Sequence, residues 1–306
     1  MLSAMAIRFA PLAALLLFVG PGLGQENVFL WEATSESGGS AYLLGSIHLA
    51  KPELYPLDPA IEEAYQSADS LVVEVDLNET EEAEMAALMM QAGVYGDGRK
   101  MLEELTPETA ELFTAYLEER SLPTAMFNSM RPWMAAMMIT VVEMQRLGYQ
   151  PEFGIDKHFL NQAKEGGKPV RQLETARFQI DLLSSFPENL QDTFLRQTLI
   201  DQDRVGDMID EMISSWRDGQ VETLEEILVA QSEDPEMQAV NEAMIDDRNH
   251  AMAEKIAAML EAGETPFVVV GALHLVGDEG VVRLLKDAGY QVRQVEAAAV
   301  AAGAAP

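Results

Sequence analysis

The pattern of apolar and polar positions predicts short β-strands near both ends of the chain and helices between them. Residues 28–32 and 41–47 are apolar and β-favouring, and the turn-forming stretch 35–40 separates them, which predicts a hairpin. Residues 59–68 have helical periodicity, and residues 70–75 form a valine-rich run that suits a buried strand. The first quarter of the chain is therefore expected to contain a strand-helix-strand unit.

The middle of the chain, residues 79–262, has a predominantly helical pattern, which only residues 168–173 interrupt as an expected strand. Residues 266–270 and 291–295 are expected to form the last two strands. The best defined helices are expected at 79–92, 107–120, 132–147, 156–163 and 279–288. We therefore predict one α/β domain over residues 25–296, with a central mixed sheet formed by the N- and C-terminal segments and a large helical insertion at about 79–262.

The N-terminal 24 residues have the composition of a secretory signal peptide. Arg8 is their only charge, the run from Phe9 to Val19 is apolar, and Gly22 to Gly24 supplies small residues for cleavage before Gln25. The apolar run is shorter than the roughly 20 residues that cross a bilayer, which favours cleavage over an uncleaved anchor. We expect an exported protein, periplasmic or secreted, that is not inserted stably in a membrane. The alanine-rich tail at 297–306 is expected to be flexible.

Composition narrows the possible partners and metal ligands. The chain has 51 acidic and 20 basic residues and a net charge of −31, and such a surface repels nucleic acid and anionic lipid heads. Hydrophobic residues make up 48% of the chain, which is ordinary for a globular protein. The absence of cysteine removes disulfides, thiol nucleophiles and cysteine-ligated zinc. Any metal ion must therefore be held by histidine and carboxylate groups.

Two of the four histidines occur in the same local context. The four are His48, His158, His250 and His274. His48 and His274 each end a Gly-x-x-His turn that follows an apolar strand, with the glycines at Gly45 and Gly271. Ligands of open α/β sheets bind beyond the carboxyl ends of strands, and glycine permits a sharp exit from the strand. We therefore expect the imidazoles of His48 and His274 at one edge of the sheet. His158 is expected to be structural, and His250 is expected to lie on the surface.

Glu74 interrupts the apolar run at residues 71–75. An acid inside a buried strand requires a partner because burial penalises its charge. The partner could be a metal ion, an imidazole or Arg248, and a purely structural ion pair is the alternative.

Five groups of residues add a longer pattern: Leu44 to His48; Tyr55 to Leu57 with Val73 to Asp76; Gly154 to Asp156 with Leu173 to Thr175; Arg248 with Asn249; and Val270 to His274. Together they resemble the TraB/GumN family, which is related to the Tiki metalloproteases and to the erythromycin esterase/ChaN-like superfamily. The resemblance implies a metal-dependent hydrolase with His48, Glu74 and His274 as metal or catalytic groups. It also implies that Arg248 assists in the active site, whereas Glu174 has a less clear role.

The working hypothesis is a metallopeptidase that acts on a peptide or protein substrate. His48, Glu74 and His274 would hold a divalent ion, which lowers the pKa of a bound water near neutral pH. Nitrogen and carboxylate ligands are compatible with zinc, manganese or cobalt, and the family suggests manganese or cobalt. The Arg248 guanidinium could bind a substrate carboxylate or stabilise an oxyanion.

Two other functions remain open at this point. In a metal-free, esterase-like hydrolase, one histidine would act as general base, with Glu74 orienting it and Arg248 stabilising charge. In a binding protein, the same crevice would retain haem or a peptide without turnover, because two histidines can ligate iron.

Overall fold

A computed structural model describes four stretches of the chain, residues 27–76, 79–202, 204–232 and 237–299. The signal peptide expected at residues 1–24 lies outside the described residues, as does most of the tail expected at 297–306. Within the four stretches, no helix combines the length and the apolar character needed to cross a membrane.

The described residues form a mixed sheet of six strands: β1 (Asn27–Thr34), β2 (Ser40–Ser46), β3 (Ser70–Val73), β4 (Val170–Gln172), β5 (Pro266–Gly271) and β6 (Gln291–Glu296). Their order across the sheet is β4-β3-β5-β2-β1-β6. Strands β4, β3, β5 and β2 are parallel to one another, whereas β1 is antiparallel to both β2 and β6. Because β5 lies between β3 and β2, the C-terminal part of the chain completes a sheet begun by the N-terminal part. The predicted fold class is confirmed.

The helices lie at α1 (Pro59–Ser67), α2 (Glu79–Ala92), α3 (Met101–Glu104), α4 (Pro107–Glu119), α5 (Thr124–Phe127), α6 (Pro132–Arg146), α7 (Ile155–Gly166), α8 (Ala176–Ser185), α9 (Glu188–Asp201), α10 (Val205–Arg217), α11 (Val221–Ser232), α12 (Gln238–Asn241), α13 (Asp247–Glu261) and α14 (Val281–Asp287). Residues Glu242–Asp246 form a π-helical turn between α12 and α13. Helices α1, α4 and α6 each begin at a proline, whose fixed φ suits the first turn. The predicted helices at 79–92, 107–120 and 132–147 are confirmed to within one residue at each end.

Two separate hydrophobic cores form under these elements. The first lies around the sheet and includes the buried residues of β2, β3 and β5. The second lies within the helical insertion and includes Phe113, Tyr116 and Trp133 from α4 and α6. The chain passes from the first core to the second directly after β3, because Val73 packs in the sheet core and Val75 packs in the helical core.

The prediction that Glu74 lies inside a strand is wrong. Strand β3 ends at Val73, which is the last residue paired with β5, opposite Val269. Glu74 follows the strand at the point where the chain leaves the sheet to enter the second core. Its backbone carbonyl accepts a hydrogen bond from the Glu174 amide at 2.8 Å, so the segments after β3 and β4 stay paired beyond the sheet.

Candidate active site

Three charged side chains lie buried where the two cores meet. The side chains of Glu74, Glu174 and Arg248 have exposed fractions of 11%, 4% and 7%, respectively. Glu74 lies between Val73 of the sheet core and Val75 of the helical core. Glu174 likewise lies between Leu173 of the sheet core and Ala176 of the helical core. Buried charges are tolerated only where they are paired and hydrogen-bonded. These three satisfy one another at the junction.

Arg248 links the two carboxylates. Its Nη2 donates to Glu74 Oε2 and to Glu174 Oε2, both at 2.8 Å, and its Nε donates to Glu174 Oε1 at 3.0 Å. Its Nη1 donates to the Met244 carbonyl at 2.8 Å, within the π-helical turn that precedes α13. The Gln179 amide, on α8, donates to Glu74 at 3.2 Å and to Glu174 at 2.9 Å. The ion pair considered for Glu74 is therefore present, with Arg248 as its partner.

The two Gly-x-x-His turns lie side by side at the same edge of the sheet. Strands β2 and β5 are parallel, with Ser46 opposite Gly271. The Gly271 amide donates to Glu74 Oε1 at 2.5 Å. A Cβ atom on Gly271 would lie 3.2 Å from Glu74 Oε1, 3.4 Å from His274 Cδ2 and 3.9 Å from His48 Nε2. One small space beside this glycine is thus bordered by both imidazoles and the carboxylate.

Each of these imidazoles is held through its Nδ1 atom. His48 Nδ1 lies 3.1 Å from Asp156 Oδ1, and His274 Nδ1 lies 2.6 Å from Asn249 Oδ1. The His274 side chain is buried, whereas that of His48 is 58% exposed. The distance from His274 Nε2 to Glu74 Oε1 is 3.7 Å. In both residues Nε2 is therefore the atom available to a ligand.

Burial and neighbouring charges give Glu74, His274 and His48 different protonation states. Burial raises the pKa of Glu74, but His274, His48 and Arg248 outweigh it and lower the pKa to about 2. Burial lowers the pKa of His274 to about 4, although Glu74 opposes the shift. Desolvation lowers the pKa of His48, but the Asp156 carboxylate outweighs it and raises the pKa to about 9. At neutral pH and without a metal ion, Glu74 is ionised, His274 is neutral and His48 is protonated, so His48 would have to lose its Nε2 proton before it could act as a metal ligand.

The donor atoms suit a divalent ion in their chemistry, and two of the three are close together. Among the described residues, no group of three or more histidine, aspartate and glutamate side chains is placed to hold a metal ion. However, an imidazole whose Nδ1 is hydrogen-bonded to an acceptor is the usual form of a metal-ligating histidine. Glu74 Oε1 and His274 Nε2 lie 3.7 Å apart, and Nε2 of the exposed His48 side chain borders the same space beside Gly271.

The other two histidines lie in different surroundings. His158 Nε2 lies 3.0 Å from Glu62 Oε1 and is half-buried, and His250 Nε2 lies 2.9 Å from Glu279 Oε2 with its side chain 57% exposed. Sequence reasoning gave no role to Gln179, because a polar residue on an amphipathic helix carries no distinguishing signal. It also left Asp156 and Asn249 without a role, although both lie in the motif segments.

The fold and the site define an α/β protein with a helical insertion and paired Gly-x-x-His turns. The chain belongs to the TraB/PrgY/gumN family, whose profile matches residues 29–294. It is 27% identical over 263 residues to a protein named uncharacterized protein YbaP in Shigella flexneri, and equally to that in Escherichia coli strain K12. Each alignment covers 85% of this chain and 94% of the relative. No solved structure matches the chain.

Proposed function

We propose that the chain is an exported hydrolase that cleaves peptide bonds with a divalent metal ion held by His48, Glu74 and His274. The observation that supports this proposal is the convergence of the three side chains around Gly271. They come from three distant segments and meet at the carboxyl edge of the sheet, where ligands of α/β folds commonly bind.

The ion, manganese, cobalt or zinc, would polarise the scissile carbonyl and lower the pKa of an attacking water. The surroundings of Glu74 and His274 keep both side chains in the protonation state that a metal ligand requires. Glu74 remains ionised because Arg248, Gln179 and the Gly271 amide all donate to its two oxygens. His274 remains neutral because it is buried, and a neutral imidazole keeps a lone pair for a ligand.

Arg248 acts in this proposal through Glu74. Its Nε and Nη2 atoms donate to carboxylates, and Nη1 donates to a backbone carbonyl. With 7% of its side chain exposed, the guanidinium fixes the orientation and charge of Glu74. The contact with a substrate carboxylate or oxyanion considered from the sequence would require the guanidinium to give up these partners.

The experiment compares hydrolysis of a broad peptide library by chelator-treated protein before and after addition of Mn²⁺, Co²⁺ or Zn²⁺. We expect activity to be lost on chelation, to return with one of these ions and to be abolished in His274→Ala. The matched control is His250→Ala, which removes an exposed histidine outside the site and should leave activity unchanged. Full activity in His274→Ala would overturn the proposal.

A metal-free hydrolase is the second candidate, and the separation of the two histidine pKa values favours it. Both imidazoles border the space beside Gly271, and with pKa values of about 9 and about 4, His48 could donate a proton there and the neutral His274 could accept one, although only as a weak base. Asp156, rather than Glu74, would orient His48. Hydrolysis that persists in protein shown by elemental analysis to be free of metal, and that depends on His48, would support this candidate.

A further inference from the structure

The side chain of Asn249 is fully buried at the start of α13, and the nitrogen and the oxygen of its amide each have a different hydrogen-bond partner. Its Nδ2 donates to the Glu279 carbonyl at 2.8 Å, and its Oδ1 lies 2.6 Å from His274 Nδ1. A backbone carbonyl can only accept a hydrogen bond, so a flipped amide would place two oxygens face to face. The Glu279 carbonyl therefore determines that Asn249 presents its oxygen to His274.

This oxygen decides where the proton of His274 lies. Since Oδ1 can only accept, Nδ1 must carry the hydrogen that joins them. A neutral imidazole has one N–H, so Nε2 is left with a lone pair. The neutral imidazole in water prefers the opposite tautomer, with its proton on Nε2. The buried His274 is therefore held in the form that it adopts less readily in solution.

The direction of Nε2 gives this tautomer a chemical consequence. Nε2 faces Glu74 Oε1 across 3.7 Å, which is too long for a hydrogen bond. Glu74 Oε1 already accepts from the Gly271 amide, and Oε2 of the same carboxylate is paired with the Arg248 guanidinium. A lone pair and an anionic oxygen thus face one gap, an arrangement that suits a cation between them.

We propose that Asn249 is a positioning residue that fixes His274 in the Nδ1–H tautomer and so presents Nε2, as an electron-pair donor, to the space shared with Glu74. The value of this arrangement for catalysis rests on the proposed function, whereas the tautomer is a property of the chain alone. His48 differs, because its Nδ1 partner is the carboxylate of Asp156.

Long-range ¹H–¹⁵N correlation spectra of the chelator-treated full chain test this assignment. With four histidines in the sequence, the His274 signals are identified by their loss in His274→Gln. At about pH 7, where His274 is neutral, we expect a protonated, pyrrole-type Nδ1 and an unprotonated, pyridine-type Nε2. In Asn249→Leu the acceptor is gone, and the proton should move to Nε2 wholly or in part.

Two further variants complete the series. Asn249→Asp retains an oxygen opposite Nδ1, so the Nδ1–H tautomer should return. Asn161→Leu removes an exposed asparagine of α7 and should leave the His274 signals unchanged. Mn²⁺ binding measured by calorimetry should weaken about 10- to 100-fold in Asn249→Leu, the usual cost of losing a partner behind a metal-ligating histidine.

A proton on Nε2 in the unsubstituted chain overturns the inference, and so does an unchanged tautomer in folded Asn249→Leu. If Asn249→Leu does not fold, the unsubstituted chain and Asn249→Asp still decide the question. If the tautomer is as proposed but the unsubstituted chain neither binds a metal ion nor hydrolyses peptides, the inference stands and the proposed function fails.

Discussion

The Gly271 amide donates a 2.5 Å hydrogen bond to the Glu74 carboxylate across the ends of two adjacent parallel strands. This contact aims the carboxylate at the space that both Gly-x-x-His turns border. It also leaves little room for a side chain at position 271, because an added Cβ would lie 3.2 Å from Glu74 Oε1 and the carboxylate would have to move by a few tenths of an ångström.

We therefore expect Gly271→Ala to displace the Glu74 carboxylate while the chain remains folded. A misplacement of about 1 Å can cost about 100-fold in rate, so a displacement of a few tenths of an ångström should lower kcat/KM by on the order of 10-fold. Gly96→Ala is the matched control, since nothing lies within 4 Å of its added Cβ. Kinetics of both variants, with circular dichroism to verify folding, give the comparison. Equal kcat/KM in the two variants would show that the space beside Gly271 is not the reaction site.

The buried pairing between Glu174 and Arg248 should contribute strongly to stability. In Glu174→Gln the guanidinium keeps Glu74 but loses its charged hydrogen-bond partner at a position with 4% exposure, so the free energy of unfolding should fall by about 1.5 to 3 kcal/mol. The exposed pair of Arg283 and Asp287 provides the control, and Asp287→Asn should change the free energy of unfolding far less because water screens an exposed pair. Urea denaturation measures both. A loss in Glu174→Gln no larger than in Asp287→Asn contradicts the role given to the buried pair.

Stability should decrease in acid partly through Glu143, which is buried in the helical insertion. Burial raises its pKa, but hydrogen bonds from Arg120, Arg146 and Tyr116 outweigh this and lower the pKa below its ordinary 4.5. The stabilisation is therefore complete above pH 4.5 and is lost as the pH falls through the lowered pKa. Glu143→Gln should be less stable than the unsubstituted chain near neutral pH, and the difference should narrow in acid. A difference independent of pH in urea denaturation would exclude this linkage.

The protonation of His48 should depend on Asp156. In chelator-treated protein, an NMR titration should give His48 a pKa of about 9, and Asp156→Asn should lower it towards the ordinary 6.5 because the neighbouring charge is removed. Asp287→Asn changes the net charge equally at a remote, exposed position and serves as the control. If the two variants shift the pKa of His48 alike, net charge rather than the contact at Nδ1 determines it.

The sheet and the paired turns could be predicted because their signals are local. Valine- and leucine-rich runs ending in Gly-x-x-His mark β2 and β5, and parallel neighbours bring their carboxyl ends to the same edge. The position of Glu74 could not be predicted in this way. Its strand ends where the chain enters a second core, and only the contacts of Val73 and Val75 reveal that change of surroundings.

The hydrogen-bond partners of the site residues also could not be predicted from the sequence. Asp156, Gln179 and Asn249 lie on three different helices, and each reaches the site through a side-chain contact with a residue at least 25 positions away. Helical periodicity identifies which face of a helix is buried, but it does not identify the polar residue that meets a particular imidazole or carboxylate.

The location of a bound metal ion tests the central claim most directly. Crystals soaked in Mn²⁺ and measured at an anomalous wavelength should show a strong peak in contact with His274 Nε2, Glu74 and His48 Nε2. His274→Ala crystals should lack that peak. An absence of any peak at saturating Mn²⁺ in the unsubstituted chain, or a peak bound by other residues, would contradict the account.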